Sequence, residues 1–407
     1  LYGPTSALYG TNAISGIINI ITKKPDNNSS YVSGMVGNFN TRSADFNYNN
    51  YNEQKELGFS IGGMLNGTEK ADLRGSKGDN NWTDDMENFE NDMELNGKFT
   101  WRKFNASILL QDKKASRTTN FKTVDGSYLD KDTLWHIRFI NSKLEYLYDE
   151  NENWSSKTMF YFVDTTVLDD SIYSILKATG TDPGEQRRVY RPNYLIGVET
   201  QLNIMLLNNL DLVEGIVCEE EHKSDGFSIT YSNSQYEKPA KPVKPPELIN
   251  KLVSTYLQFQ YKMFQDTTEI TGGIRTDHSS VYKMVNTPRG SVVFNKDRLT
   301  LKFIYGEAFR GPSNWDHSAG YGNDNLKPED AKSYELFAGY RFSNNLSGDI
   351  CLYQNEIQNR LFKYSDAVSY RWINKGELNI NGLELSTNYK LNSLELGCNY
   401  TYNESED

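Results

Sequence analysis

Five long segments of the chain alternate between apolar and polar residues, and this alternation constrains the fold more than any other feature. On one face, 23 positions include a single polar residue, Thr387, and no charged residue. On the interleaved face, seven of 20 positions are charged. A period of two residues indicates β-strands with one face against an apolar medium and the other against water. The segments are residues 256–264, 299–305, 334–342, 383–391 and 394–402.

Strand length and loop length together favour a membrane barrel over a soluble sandwich. Sandwich strands also alternate, but they are usually about five to six residues long, whereas a tilted membrane-crossing strand needs about 9–11. Short polar turns also alternate with long polar connections, which is typical of outer-membrane barrels. Counting the segments between them predicts about 17 strands. The long connections are residues 66–91, 113–135, 165–189, 223–251, 308–332 and 359–369.

The composition agrees with a membrane barrel but does not require one. Mean hydropathy is −0.67, and no stretch approaches the roughly 18 consecutive apolar residues of a membrane helix. A barrel averages its lipid-facing and lumen-facing residues, so its hydropathy resembles that of a soluble protein. The 27 Tyr, 19 Phe and 6 Trp residues would supply aromatic girdles at the membrane interfaces. A secreted β-protein rich in aromatic residues remains the alternative.

The charge and the reactive residues argue against several functional classes. The net charge is −11 and there is no basic stripe, so a nucleic-acid partner is not expected. Cys218, Cys351 and Cys398 are far apart and lack metal-type spacing. The four histidines are scattered and form no catalytic pattern with acids or nucleophiles. The sequence therefore predicts neither an enzyme nor a bound metal or cofactor.

The first 25 residues contain a dense motif, LYGPTSALYGTNAISGIINIITKKP. Its glycines and proline are turn signals, and residues 16–22 are a β-branched run typical of a buried strand. In fixed register, the segment resembles the end of the plug domain of TonB-dependent outer-membrane receptors. The positions that we take as the plug motif are Gly3, Pro4, Gly10, Gly16 and Asn19.

A second region carries the same resemblance. Three short motifs occur in the same order as in a stretch of that family. They are AFRGPS at residues 308–313, NLKPE at 325–329 and SYEL at 333–336. NKG at residues 374–376 and NGLE at 381–384 are similar to the entry of a later barrel strand. The similarity covers residues 1–25 and about 299–402. Residues 26–298 resemble the family only in how strands alternate with short turns and long connections.

The resemblance implies an all-β fold, a transmembrane antiparallel β-barrel with the C-terminal remnant of a plug domain. Residues 1–25 would end the plug, and residues 26–407 would form an incomplete barrel. Receptors of this type have 22 strands around a plugged lumen. About five strands, most of the plug and the energy-coupling box are thus expected outside this sequence, which also shows no signal peptide.

The resemblance also implies a function and a location. A receptor of this family lies in the outer membrane of Gram-negative cells and takes up a metal chelate with energy from a TonB-type protein of the inner membrane. A ferric siderophore is the first expectation, and haem or cobalamin is the alternative within the family. The implied partners are therefore the chelate, the coupling protein and outer-membrane lipid. A passive porin is the alternative of another class, and the plug motif argues against it.

One long connection, residues 308–332, carries the candidate ligand-binding residues. Aromatic and cationic groups at an outer mouth suit a large, flat and often anionic chelate. Some haem importers of the family place a histidine between FRAP and NPNL motifs, but Gly311 and Asp324 break both motifs here. A haem ligand and an ordinary loop histidine both remain open for the histidine in this connection. The candidates are Arg310, Trp315, His317 and Tyr321.

Overall fold

The structure is a computed structural model that describes residues 22, 24–25, 30–70, 87–117, 128–129, 131–151, 153–180, 184–232, 236–240 and 243–407. The plug motif predicted at Gly3, Pro4, Gly10, Gly16 and Asn19 lies outside these residues. None of the helices in the described part of the chain is long and apolar enough to cross a membrane.

The described residues form strands almost throughout, with one short helix. The elements in chain order are β1 (Tyr31–Val36), β2 (Arg42–Asn52), β3 (Leu57–Thr68), β4 (Glu90–Trp101), β5 (Phe104–Ala115), β6 (Trp135–Asn151), β7 (Trp154–Val167), β8 (Ile172–Leu176), β9 (Glu185–Tyr190), β10 (Asn193–Leu207), β11 (Leu210–Lys223), β12 (Phe227–Ser232), β13 (Leu248–Met263), β14 (Thr268–Ser279), β15 (Lys283–Lys296), β16 (Leu299–Arg310), α1 (Asn314–Ser318), β17 (Glu329–Arg341), β18 (Leu346–Gln358), β19 (Leu361–Ser365), β20 (Tyr370–Asn374), β21 (Leu378–Leu391) and β22 (Leu394–Glu406).

Seventeen of these strands form one large sheet, which confirms the predicted strand count. Each long strand pairs antiparallel with the next one, so the sheet is a meander that forms the wall of a barrel. The tight turns are local in origin. Arg102, Asp297 and Asn392 have positive φ angles of 52°, 53° and 51° in the predicted short turns. A left-handed residue lets a short connection match the twist of the two strands, and Asn and Asp adopt it at low cost.

The two faces of the sheet carry the residues that the alternation predicts. Leu257 and Phe303 are 45% and 48% exposed on the outer face, whereas Tyr256 on the opposite face is 4% exposed. The register places Phe303, Leu336 and Leu352 side by side, so apolar residues form a continuous outer band. Large apolar side chains left exposed in such a band indicate an apolar surrounding medium.

The described parts of the long connections lie at one end of the barrel, and several of them contain structure of their own. β8, β9 and β12 form a three-stranded sheet, and β19 pairs with β20. α1 lies between β16 and β17 and begins with a capping box, in which the Ser313 and Asp316 side chains bond each other's backbone N–H groups. The sequence predicts only polar connections here, because strands of five or six residues give too short a pattern to recognise.

One described residue ahead of the first strand lies on the inner side of the wall. Pro25 is buried, and its Cβ is 3.0 Å from where a Cβ on Gly58 would be. The same position faces Tyr51 and Thr100 on neighbouring strands, which belong to the inner face. A glycine in β3 therefore makes room for the chain that precedes β1. For the rest of residues 1–25, a place against the inner wall stays a prediction.

Candidate functional site

The three-stranded sheet is fixed to the loop end of the barrel. Ile172 of β8 exchanges backbone hydrogen bonds with Leu134, just before β6, at 2.8 and 3.0 Å. Arg191, just after β9, does the same with Val167 at the end of β7, at 2.9 and 3.0 Å. The buried Asn314 of α1 donates from Nδ2 to the Pro246 carbonyl at 2.6 Å. The first two pairs fix β8 and β9 to the barrel wall, and the third bond ties α1 to the connection that precedes β13.

Arg117 lies between two aromatic rings at this end of the barrel. Its Cζ is 4.5 Å from the centroid of the Trp135 ring and 4.9 Å from that of Tyr173. Trp135 pairs with Ala115 and so faces the lumen, as alternate residues of β5 and β6 do. A guanidinium stacked between two ring faces is held in one orientation by cation–π attraction.

Two further arginines continue this arrangement. The Arg187 Cζ is 5.2 Å from the Tyr173 ring, and the Arg191 Cζ is 5.1 Å from the Trp315 ring of α1. Partial burial, and then the nearby charge of Arg187, lower the pKa of Arg191 below its ordinary value, although a guanidinium stays protonated. We call this set the arginine ladder; its members are Trp135, Arg117, Tyr173, Arg187, Arg191 and Trp315.

A second cation–aromatic group lies on the other face of β9. Arg188 follows Arg187 directly, so its side chain points to the opposite side of the strand. Its Cζ is 4.2 Å from the Tyr236 ring, and its Nε donates to the Tyr231 hydroxyl at 3.0 Å. The small sheet therefore presents cations stacked on tyrosines on both of its faces.

The ladder carries positive charge that no carboxylate of the described residues pairs with. In the described part of the chain, none of the ladder arginines forms an ion pair with a carboxylate, although Arg138 and Arg310 both do. The Nε of Arg117 is buried and has no hydrogen-bond partner there. In a chain of net charge −11, these three arginines form a local concentration of positive charge. Guanidinium groups beside half-buried rings suit a planar anion, because they bind its oxygens and stack on its plane.

The four predicted ligand residues lie near one another but differ in their surroundings. Trp315 belongs to the ladder. The Arg310 Nε bonds Glu329 Oε2 at 2.6 Å, and Glu329 Oε1 accepts from the backbone N–H of Leu361 at 2.6 Å. Arg310 thus holds the base of its own loop against the start of β19, which leaves its charge already paired.

His317 lies beneath the surface of the loop that follows α1. Its Nδ1 is 3.0 Å from the Asn323 carbonyl oxygen, to which it is placed to donate. Its Nε2 is buried and has no hydrogen-bond partner among the described residues. A haem iron could reach this nitrogen only if α1 moved. In the part of the chain that the structure describes, no group of three or more His, Cys, Asp or Glu residues could hold a metal ion.

Tyr321 is the most exposed of the four candidates, at 58%. Its backbone N–H donates to the Tyr370 carbonyl at 2.8 Å, which ties the loop after α1 to β20. Its hydroxyl also contributes to the low pKa of the Asp366 carboxyl, after the backbone N–H groups of Ser369 and Val368. Tyr321 is therefore a rim residue that is available to a bound molecule.

Sequence reasoning missed most of the ladder. The run RRVYR at residues 187–191 is unusually basic for this acidic chain and could have signalled the site. No local sequence pattern marked Arg117 and Trp135 as site residues. Their link to β9 is the ring of Tyr173, which comes from another connection.

Comparison with known proteins gives a consistent result. Residues 27–407 match a family described as TonB dependent receptor-like, beta-barrel. The probable TonB-dependent siderophore receptor PirA of Acinetobacter baumannii is 21% identical over 427 residues, which cover 89% of this chain and 53% of that protein. The vitamin B12 transporter BtuB of Vibrio vulnificus is 23% identical over 406 residues, which cover 94% and 58%. The chain thus spans little more than half the length of these relatives.

Solved structures show the same fold. The siderophore receptor PirA from Acinetobacter baumannii superposes with a TM-score of 0.71 at 17% identity, covering 99% of this chain and 66% of that one. The ferric enterobactin receptor PfeA from Pseudomonas aeruginosa, as the R480A mutant in complex with enterobactin, gives a TM-score of 0.72 at 17% identity, with coverage of 99% and 66%.

Proposed function

The chain belongs to the TonB-dependent receptor family, and from this premise we propose that the whole protein is an outer-membrane receptor for energy-coupled uptake of an anionic metal chelate, a ferric siderophore. In this proposal, residues 1–25 end the plug domain and residues 26–407 are barrel. The implied location is the outer membrane of a Gram-negative cell, where receptors of this family reside.

The arginine ladder is the observation that carries the proposal. Siderophores bind ferric iron through oxygen anions, and many of the resulting chelates are negatively charged and contain flat aromatic rings. Arg187 and Arg191 supply cations without carboxylate partners among the described residues, and Tyr173 and Trp315 supply ring faces beside them. Such charge-assisted contacts are the strong class of hydrogen bond. The names of the relatives agree, since PirA is called a siderophore receptor and PfeA was crystallised with enterobactin.

Uptake through such a barrel requires no covalent chemistry, so we do not propose an enzyme. The chelate binds above the plug at the loop end of the barrel. The coupling partner then has to favour a second state of the plug in which the lumen is open, because a partner shifts an equilibrium only by binding one state better. Residues on the inner face that would line the passage include Lys262, Arg341 and Glu384.

The alternatives differ in how well they fit the site. A cobalamin receptor is one alternative, because the relative BtuB is called a vitamin B12 transporter. Binding of cobalamin would not require several arginines that lack carboxylate partners in the described residues. A haem receptor would use His317, whose free ring nitrogen is buried. A passive porin would need an open lumen, which the plug motif at Gly3 to Asn19 opposes.

Binding of a chelate panel to the purified full-length protein tests the proposal. We expect ferric enterobactin or another anionic ferric siderophore to quench tryptophan fluorescence at micromolar concentration or below, because Trp135 and Trp315 are both in the ladder. Haemin and cyanocobalamin serve as the competing ligands. Saturable binding of cobalamin or haem without binding of any ferric siderophore would overturn the assignment. Growth of a deletion strain on single iron sources then identifies the natural chelate.

A further inference from the structure

Both ring nitrogens of His136 face carboxylates at the loop end of β6. Nε2 is 2.8 Å from Asp112 Oδ2 on β5, and Nδ1 is 2.8 Å from Asp170 Oδ2 in the turn between β7 and β8. The residue is only 7% exposed. Because ionised carboxylates only accept hydrogen bonds, both contacts can be hydrogen bonds only when the imidazole carries both protons. The geometry is therefore that of an imidazolium bridging two aspartates.

The backbone of His136 holds the same turn. Its N–H donates to Ser171 Oγ at 3.1 Å, and its carbonyl accepts from the Leu168 N–H at 2.9 Å. Ser171 is fully buried. We call residues 168–171 the clamped turn, because His136 fixes it to the barrel wall through both its ring and its backbone.

The clamped turn leads directly into the arginine ladder. Ile172 opens β8, and Tyr173 follows it. The Tyr173 ring is the one that Arg117 and Arg187 share, at 4.9 and 5.2 Å, and it also packs edge-on against Trp135 at 6.0 Å. A shift of the clamped turn would therefore move the ring on which two ladder arginines rest.

The other charged groups around the clamp have different partners or positions. Arg138 pairs with Asp164 at 3.2 Å, and Asp169 pairs with Lys238, whose pKa is raised by that bond. None of them lies between Asp112 and Asp170 in the described residues. Among the described residues, these groups are Lys114 on β5, Arg138 on β6, Asp164 on β7, and Asp169 and Lys238 on the loops.

We propose that His136 is a positioning residue for the chelate site, whose protonated ring clamps the β7–β8 turn and so holds Tyr173 in the ladder. Its role as a positioning residue rests on the proposed function, whereas the clamp itself does not. Loss of a ring proton would break one of the two ring hydrogen bonds, because a neutral ring cannot donate from both nitrogens.

Hydrogen exchange of the full-length protein in detergent tests the clamp without any ligand. At one fixed pH, we expect the protection of peptides covering residues 168–176 to be roughly tenfold lower in His136→Gln than in the wild type, the scale of one charge-assisted hydrogen bond. His278→Gln is the matched control, because His278 is an exposed outer-face histidine at the same end of the barrel. This variant should keep the wild-type profile.

A second variant guards against a folding artefact. Asp170→Asn leaves the histidine in place but removes the charge that the Nδ1 proton faces, and we expect it to lower the protection of the same peptides. Unchanged exchange in the barrel strands shows that each variant is folded. Protection of the turn in His136→Gln or in Asp170→Asn equal to that of the wild type would overturn the proposal. Because no chelate is present, absent siderophore binding would contradict the proposed function and leave this result standing.

Discussion

Replacing Arg187 and Arg191 together with alanine is expected to weaken binding of the ferric siderophore roughly a hundredfold or more, with the barrel still assembled. Hydrogen bonds to charged groups contribute about 1.5–3 kcal/mol each, so the loss of two comes to about 3 kcal/mol or more. Neither arginine is paired with a carboxylate in the described residues, so their removal leaves no buried charge behind. Titration of the purified full-length variant with the siderophore that the wild type binds, monitored by tryptophan fluorescence, measures the effect.

Two arginine controls sharpen this test. Arg102→Ala removes an arginine whose Cζ is 5.7 Å from a tryptophan ring, Trp101, at the short-turn end of the barrel, and we expect unchanged affinity. Arg310→Ala should also have a much smaller effect, because Arg310 is already paired with Glu329. Equal losses in the double variant and in Arg102→Ala would show that the ladder is not the binding site.

Leu385→Arg is expected to prevent stable assembly of the barrel. Leu385 lies on the outer face of β21, between Ile350 and Tyr400 in the register, and is 40% exposed. An arginine that faces lipid near the membrane midplane costs roughly 2–4 kcal/mol. That is a large part of the roughly 5–15 kcal/mol by which a folded protein is stable. The measurement is heat-modifiable gel mobility of the full-length protein in outer-membrane fractions.

Ser386→Arg is the matched control, since it introduces the same side chain one residue further along. Ser386 faces the lumen and lies opposite Asp349 on β18, so the new charge meets water and a carboxylate. We expect it to assemble at close to the wild-type level. Comparable assembly of the two variants would mean that the faces are assigned wrongly.

The sequence predicted the barrel well because each relevant signal is local. The face of Leu385 follows from alternation within one strand, and the turn at Asn392 follows from a residue type that adopts positive φ at low cost. The strand count followed from the spacing of such turns. The strands β8, β9 and β12 were missed, since each spans a single short pattern within a polar connection and is held by tertiary contacts.

The arginine ladder was less predictable because its parts come from three separate connections. Trp315 and Tyr321 were found since they lie in a stretch that resembles a known family. Arg310 looked like a ligand residue, but the structure pairs it with Glu329, and pairing between two loop ends leaves no trace in a single sequence. Arg117 was missed because contacts between distant loop residues leave no pattern in a single sequence. Its aromatic neighbours follow it along the chain only after a long polar stretch.

Energy-coupled uptake can be tested by comparing binding and uptake of a labelled ferric siderophore in cells with and without the TonB-type partner. We expect surface binding to persist without the partner, because the ladder lies at the loop end of the barrel, and uptake to be lost, because the plug must be displaced. Undiminished uptake in cells that lack the partner would rule out energy coupling and would favour a passive pore.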